Sequence, residues 1–210
     1  MIVSHKNRFV FVKTRKTGGS SIEHALEPFC SINDTLTPLP PEVKIPDQSR
    51  NCHRNGQLLL QPHDSGEKIL ELFPETKDYT WFTVERHPYT KTISAYYYIK
   101  NSIERDVDQL SELGQLGDLD NFIFNGYSGE GQPVDDHLWC AGGKPIVDGI
   151  LRFEHLAEDF AQLGKLLDLP LELNTQLNKG KYDNIELNRK QKKQIMKLFR
   201  NSNKFTGYGD

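Results

Sequence analysis

Cysteine is scarce in this 210-residue chain: Cys30, Cys52 and Cys140 are widely spaced and form no CxxC pair. That speaks against a disulfide framework and against a cysteine-based zinc motif; it suits a reducing compartment, so a cytoplasmic location is expected. Apolar content is modest at 36%. No apolar run approaches the roughly 20 residues needed to cross a bilayer, and Met1 stands only a few residues before the first predicted strand. Neither a membrane anchor nor a signal peptide is therefore expected. Strong charge of either sign is absent too, and the net charge of −3 argues against general affinity for nucleic acid or a membrane surface. Internal repeats are lacking, and the length suits one domain over residues 1–210.

The most informative stretch present runs from Tyr79 to Tyr98, YTWFTVERHPYTKTISAYYY. Thr80 to Val84 is rich in β-branched and aromatic residues, as befits a strand covered on both faces, and Pro88 suits a first helical position because no amide donor is needed there. Arg86 then falls at a strand's carboxyl end. Lys91 and Ser94 share a helix face, so a guanidinium, an ammonium and a hydroxyl can converge on one anion. The alternative is a solvated surface helix. Glu85 should point to the opposite face of the strand and has no functional account. Of Tyr96, Tyr97 and Tyr98, at least one should be core.

Near the N-terminus, Arg8 to Lys13 (RFVFVK) predicts a short strand running into TRKTGGSSIEHAL. Gly18 and Gly19 form a turn, Ser20 and Ser21 add hydroxyls, and Ile22, Ala25 and Leu26 set a helical rhythm. A helix N-terminus of this kind attracts phosphate through its unpaired N–H groups and its dipole, and Lys16 adds a full charge at the turn. The loop is not a Walker A sequence, because Lys16 precedes the glycines instead of following them.

Together the two stretches resemble the PAPS-dependent sulfotransferases (PAPS being 3′-phosphoadenosine 5′-phosphosulfate). Lys16, Thr17, Gly18, Ser20 and Ser21 fit that family's first loop, with Arg15 where proline is usual. Arg86, Pro88, Ser94 and Tyr96 fit its second, with Lys91 where arginine is usual. The resemblance implies a P-loop-like three-layer α/β domain with a central, mostly parallel sheet and helices on both faces. It also implies transfer of a sulfuryl group from PAPS to an acceptor hydroxyl or amine, with no metal. Lys16 would contact the phosphosulfate and its bridging oxygen, Thr17, Gly18, Gly19, Ser20 and Ser21 would cradle the 5′-phosphate, and Arg86 with Ser94 would hold the 3′-phosphate. DGILRFEHLAEDF at Asp148 to Phe160 and KFTGYG at Lys204 to Gly209 resemble the carbohydrate-type branch, which puts a glycan among the expected acceptors. Two alternatives stand beside this reading: a non-catalytic module that binds bisphosphate nucleotides, and a divergent P-loop kinase using ATP.

Leu58 to Gln61 predicts a short strand, and Asp64 or Ser65 can cap a helix ending near Phe73. His63, between them at a strand's carboxyl end, is the candidate general base, with His53, His137 and Asp136 as rivals. His87 is expected to line the phosphate site. Thr35 to Asn55 reads as a long loop, either a lid or a disordered stretch, and Asn125 to Val134 as a glycine-containing one. Lys179 and Lys181 form a basic loop that either closes over the nucleotide or is simply solvated. Helices are predicted near Leu119 to Phe124 and over Leu187 to Arg200.

Overall fold

The computed structural model describes residues 1–38, 52–54, 57–127, 133–173 and 185–209. Along the chain these form β1 (Ile2–Ser4), β2 (Phe9–Val12), α1 (Gly19–Leu26), β3 (Thr35–Leu36), β4 (His53–Arg54), β5 (Gln57–Leu58), α2 (Gly66–Leu72), β6 (Thr80–Glu85) and α3 (Pro88–Arg105). There follow α4 (Leu113–Leu116), α5 (Leu119–Asn125), α6 (Asp136–Trp139), β7 (Cys140–Ala141), β8 (Lys144–Pro145), β9 (Gly149–Arg152), α7 (Leu156–Leu167), α8 (Arg189–Leu198) and α9 (Asn203–Thr206). None of the helices among the described residues is long and apolar enough to cross a membrane. The chain packs as two compact units, one of Met1–Glu85 with Asp135–Asn178, the other of Arg86–Val134 with Lys179–Asp210.

The first unit is an α/β layer structure around a five-stranded sheet in the order β3-β1-β2-β6-β9. β2, β6 and β9 are mutually parallel; β1 is antiparallel to both of its neighbours, so β3 points the same way as β2. Side chains alternate between two cores, as the period of a strand requires. Phe9, Phe11, Phe82, Val84 and Leu151 pack with Ile22 and Leu26 of α1 and with Leu156, Phe160 and Leu163 of α7. Val10, Val12 and Trp81 pack on the other face with Ile69 of α2 and with Leu138 and Trp139 of α6. Helices therefore cover both faces, and the Phe11 and Phe82 rings stack at 5.3 Å across the central pair of strands.

Two expectations need correcting. Thr35 and Leu36, read as the start of a long loop, form β3 against Ile2 and Val3, so the sheet gains two short strands on its β2 side and is mixed. The strand expected at Leu58 to Gln61 is confined to Gln57–Leu58, which pairs with His53–Arg54 in a separate two-stranded ladder. α2 begins as expected, with the Ser65 hydroxyl accepting from the Lys68 amide at 3.3 Å. Residues 39–51, 55–56, 128–132 and 174–184, with Lys179 and Lys181 and most of the loop after Asn125, lie outside the described residues.

In the second unit Pro88 opens α3, and the His87 ring nitrogen accepts from the Tyr89 amide at 3.3 Å, capping the helix. Ala95, Tyr96, Ile99 and Ile103 pack on Leu116 and Phe122, while Ile93 and Ile123 pack with Leu187, Ile195 and Phe199. α8 carries a capping box in which Asn188 accepts from the Lys190 and Gln191 amides and the Gln191 side chain accepts from the Asn188 amide. Tyr96 is the core member of its tyrosine triplet and donates to the Gly117 carbonyl at 3.2 Å, whereas Tyr98 is exposed.

Candidate functional site

In the first unit the carboxyl ends of β2, β6 and β9 share one edge of the sheet. From β2 the chain leaves through α1 toward β3 on one flank, whereas the strand next after β6 in the sheet, β9, lies on the other. The β2–β6 boundary is thus the point where successive connections diverge, and open α/β sheets bind ligands outside the strand ends at such a point. The loop from Lys13 to Gly18 emerges there.

That loop is tightly built. The Thr14 hydroxyl donates to the Val84 carbonyl of β6 and lies 2.9 Å from the Thr17 hydroxyl, which also donates to the Thr14 carbonyl at 3.2 Å. Thr17 is fully buried, so its hydroxyl belongs to the loop and it would meet a ligand through its main chain. Lys16 and Gly18 both adopt left-handed backbone, with φ of 60° and 77°. Gly18 caps α1 and its carbonyl accepts from the Ser21 amide at 2.9 Å. The Gly19 and Ser20 amides that precede it in the first turn of α1 have no intrahelical acceptor by construction, which makes this end an anion-attracting one.

Gly19 has a separate reason to lack a side chain. A Cβ there would lie 2.8 Å from Cγ of Lys13. The Lys13 stem passes beneath the helix start, and its Nζ reaches Oε2 of Glu23 at 2.5 Å and Oγ of Ser20 at 3.5 Å. Glu23 also takes the main-chain amine of Met1, and is fully buried. Burial works against its ionisation, but that amine and Lys13 outweigh it and hold the carboxyl below its ordinary range. Sequence reasoning missed Lys13 and Glu23; a lysine and a glutamate ten residues apart on opposite sides of a turn leave no periodic signal.

His63 comes to this loop. Its Nδ1 lies 3.0 Å from the carbonyl oxygen of Lys13. A carbonyl only accepts, so Nδ1 carries the proton, and in the neutral ring Nε2 keeps its lone pair. Burial drives the imidazole down to about 4, helped by the charges of Lys13 and Arg15 and opposed by the bond to the Lys13 carbonyl and by Asp135. The ring is therefore neutral near pH 7. His63 reaches this place from the segment between β5 and α2 and not from the end of a sheet strand, the ladder of β4 and β5 being apart from the sheet.

Asp135, also unanticipated, is 1% exposed. Its carboxylate accepts from the Arg15 amide and from the Arg15 guanidinium, each at 2.7 Å. Of the rival bases, Asp136 and the exposed His137 sit on α6, and His53 lies in the β4–β5 ladder. Glu85 now has a role in the fold: it is buried and accepts from the Trp139 indole at 2.9 Å on the face away from α1. Burial, with the nearby Asp136 and Glu85 carboxylates, pushes the Cys140 thiol up to about 11, which leaves it a poor nucleophile.

In the second unit, Arg86 is the residue after β6. Its Nε donates to the Thr90 hydroxyl at 3.1 Å, and that hydroxyl donates to the His87 carbonyl at 3.1 Å, so the guanidinium is braced against the first turn of α3. Ser94 is 8% exposed and Lys91 fully buried, with Nζ 6.0 Å from the centre of the Phe199 ring. The helix face carrying them is thus not the solvated one. His87 packs between the rings of Tyr89 and Tyr208, at 4.8 and 5.5 Å.

No family model matches the chain, and neither a curated protein nor a solved structure is significantly similar to it.

Proposed function

We propose that this chain is a PAPS-dependent sulfotransferase on a P-loop-like α/β fold, acting in the cytoplasm. The observation that carries the reading is the meeting of Lys16's loop with a neutral His63 at the β2–β6 switch point. The turn that carries a cation is then also the one that a proton acceptor contacts. In sulfuryl transfer the bond between sulfur and the bridging oxygen breaks while the acceptor oxygen or nitrogen bonds to sulfur. The electron pair stays on the bridging oxygen, and a preorganised cation there stabilises the transition state more than the ground state. Lys16 is assigned that task. The acceptor's proton passes to Nε2 of His63, the nitrogen that bears the lone pair in the neutral tautomer selected by the Lys13 carbonyl.

The turn from Thr17 to Ser21 is assigned the 5′-phosphate through the main-chain amides of Thr17, Gly18, Gly19 and Ser20, at the N-terminus of an eight-residue helix, the Ser21 amide being held by the Gly18 carbonyl. Arg86 and Ser94 keep the part that the sequence resemblance gives them, recognition of the 3′-phosphate. A hydroxyl- or amine-bearing acceptor, a glycan among the candidates, completes the reaction.

The test is calorimetric binding of adenosine 3′,5′-bisphosphate against 5′-AMP and ATP, with chelator present, on the wild type and on Arg86→Ala. A strong preference for the bisphosphate, lost in the variant, is expected. Preference for magnesium-ATP would hand the loops to a kinase, and tight bisphosphate binding without any PAPS turnover would leave a nucleotide-binding module.

A further inference from the structure

The Arg15–Asp135 pair joins residues 120 positions apart and anchors the loop by its main chain as well as by charge. A carboxylate that is 1% exposed is costly unless it is paired and hydrogen-bonded, and Arg15 supplies both kinds of partner. The bond to the Arg15 amide fixes the peptide plane between residues 14 and 15. One residue earlier, the Thr14 hydroxyl is held by the Val84 carbonyl. On its other side Lys13 continues directly from β2, and its side chain is locked on Glu23. The direction of the Lys13 carbonyl is therefore set from both sides, and that carbonyl is the acceptor for His63.

We propose that Arg15 and Asp135 are positioning residues: their clamp holds the loop so that the Lys13 carbonyl accepts a hydrogen bond from Nδ1–H of His63 and leaves Nε2 as the proton acceptor. Naming His63 a base rests on the sulfuryl-transfer reading; the control of its ring by the clamp does not. Orientation of a histidine by a main-chain carbonyl is an established way to select a tautomer. Here the carbonyl is itself held in place by an ion pair. The charged groups facing the ring are Lys13, Arg15 and Asp135, with Lys13 matched by Glu23. The two members of the clamp thus act on the ring electrostatically in opposite senses while acting on the carbonyl in the same sense.

That difference in sign gives the experiment its power. Nitrogen-15 NMR of the His63 ring is recorded across pH on the full chain, for the wild type, Asp135→Asn, Arg15→Gln and Arg15→Lys, with bisphosphate binding measured on the same samples. The wild type should show the Nδ1–H tautomer. Asp135→Asn and Arg15→Gln should each move the tautomer ratio toward Nε2–H by about threefold to tenfold, the worth of one hydrogen bond. Titration of the ring should lie at lower pH in Asp135→Asn than in Arg15→Gln, because both weaken the bond to the Lys13 carbonyl while removing charges of opposite sign, a separation that general loosening cannot produce. Arg15→Lys, which keeps the charge and the main-chain donor, should stay close to wild type. Folded variants with wild-type tautomer and titration would overturn the proposal; should Asp135→Asn not fold, Arg15→Gln, at a partly exposed side chain, decides alone. A responsive His63 in a protein that ignores the bisphosphate would keep the clamp and sink the sulfotransferase reading. Tight bisphosphate binding with an unresponsive His63 would do the reverse.

Discussion

Nζ of Lys13 lies 2.5 Å from Oε2 of Glu23, and both side chains are withdrawn from solvent beneath the start of α1. Removing one partner of a buried pair leaves an uncompensated charge, which costs about 3–5 kcal/mol. Lys13→Met and Glu23→Gln should each lower stability on that scale in urea unfolding. The double variant should lose less than the sum, since the pair acts as a unit. Additive losses would mean that the two side chains do not depend on one another.

The same carboxylate sets an acid limit. Its folded-state pKa lies below the ordinary 4.5, so its contribution to stability is complete above that pH and is lost as pH falls further through the folded value. Unfolding midpoints of wild type should drop below pH 4.5 more steeply than those of Glu23→Gln.

His63 acts in a different window. Its pKa falls from 6.5 to about 4 on folding, so the unfolded chain takes up the proton first. Stability should be constant above about pH 6.5 and decline toward pH 4, by ~3 kcal/mol at most. His63→Asn should lack this slope. Binding of adenosine 3′,5′-bisphosphate should raise the His63 titration by bringing anionic charge to the loop, a shift that NMR reads directly. An unchanged titration in saturating ligand would place the phosphates elsewhere.

Two glycines should respond to alanine with opposite signs. At Gly19 a Cβ would meet Cγ of Lys13 at 2.8 Å and Cε at 3.0 Å, within a stem pinned at its far end, so Gly19→Ala should destabilise by roughly 1–3 kcal/mol. Gly114 in α4 has open space around it, and Gly114→Ala should stabilise by up to about 1 kcal/mol. Thermal melts of the two variants check both at once.

Much of this was legible in local pattern. The apolar runs of β2 and β6, Pro88 at the start of α3 and Ser65 before α2 all signal through neighbours in sequence, and the elements lie within a residue or two of their expected bounds. β1 and β3 escaped notice because strands of three and two residues carry too little alternation to stand out. The choice of His63 rested on a strand that does not join the sheet; its contact with Lys13, 50 residues away, is what brings it to the loop. Asp135 gave no local sign at all. The nearest clue was Arg15 itself, a cation at the foot of the loop after β2 where the resembling family has proline, which calls for a carboxylate from some distant segment.

Lys16 combines a charge and a backbone shape at one position. With φ at 60°, a residue bearing a Cβ pays roughly 1–2 kcal/mol that glycine would not. Replacement by alanine therefore removes the ammonium but keeps the strained geometry, whereas replacement by glycine removes the ammonium and relaxes it. The pair of variants separates what the cation contributes from what the turn contributes: a glycine variant that is more stable yet as impaired as the alanine one would mark position 16 as a place where the chain trades stability for charge.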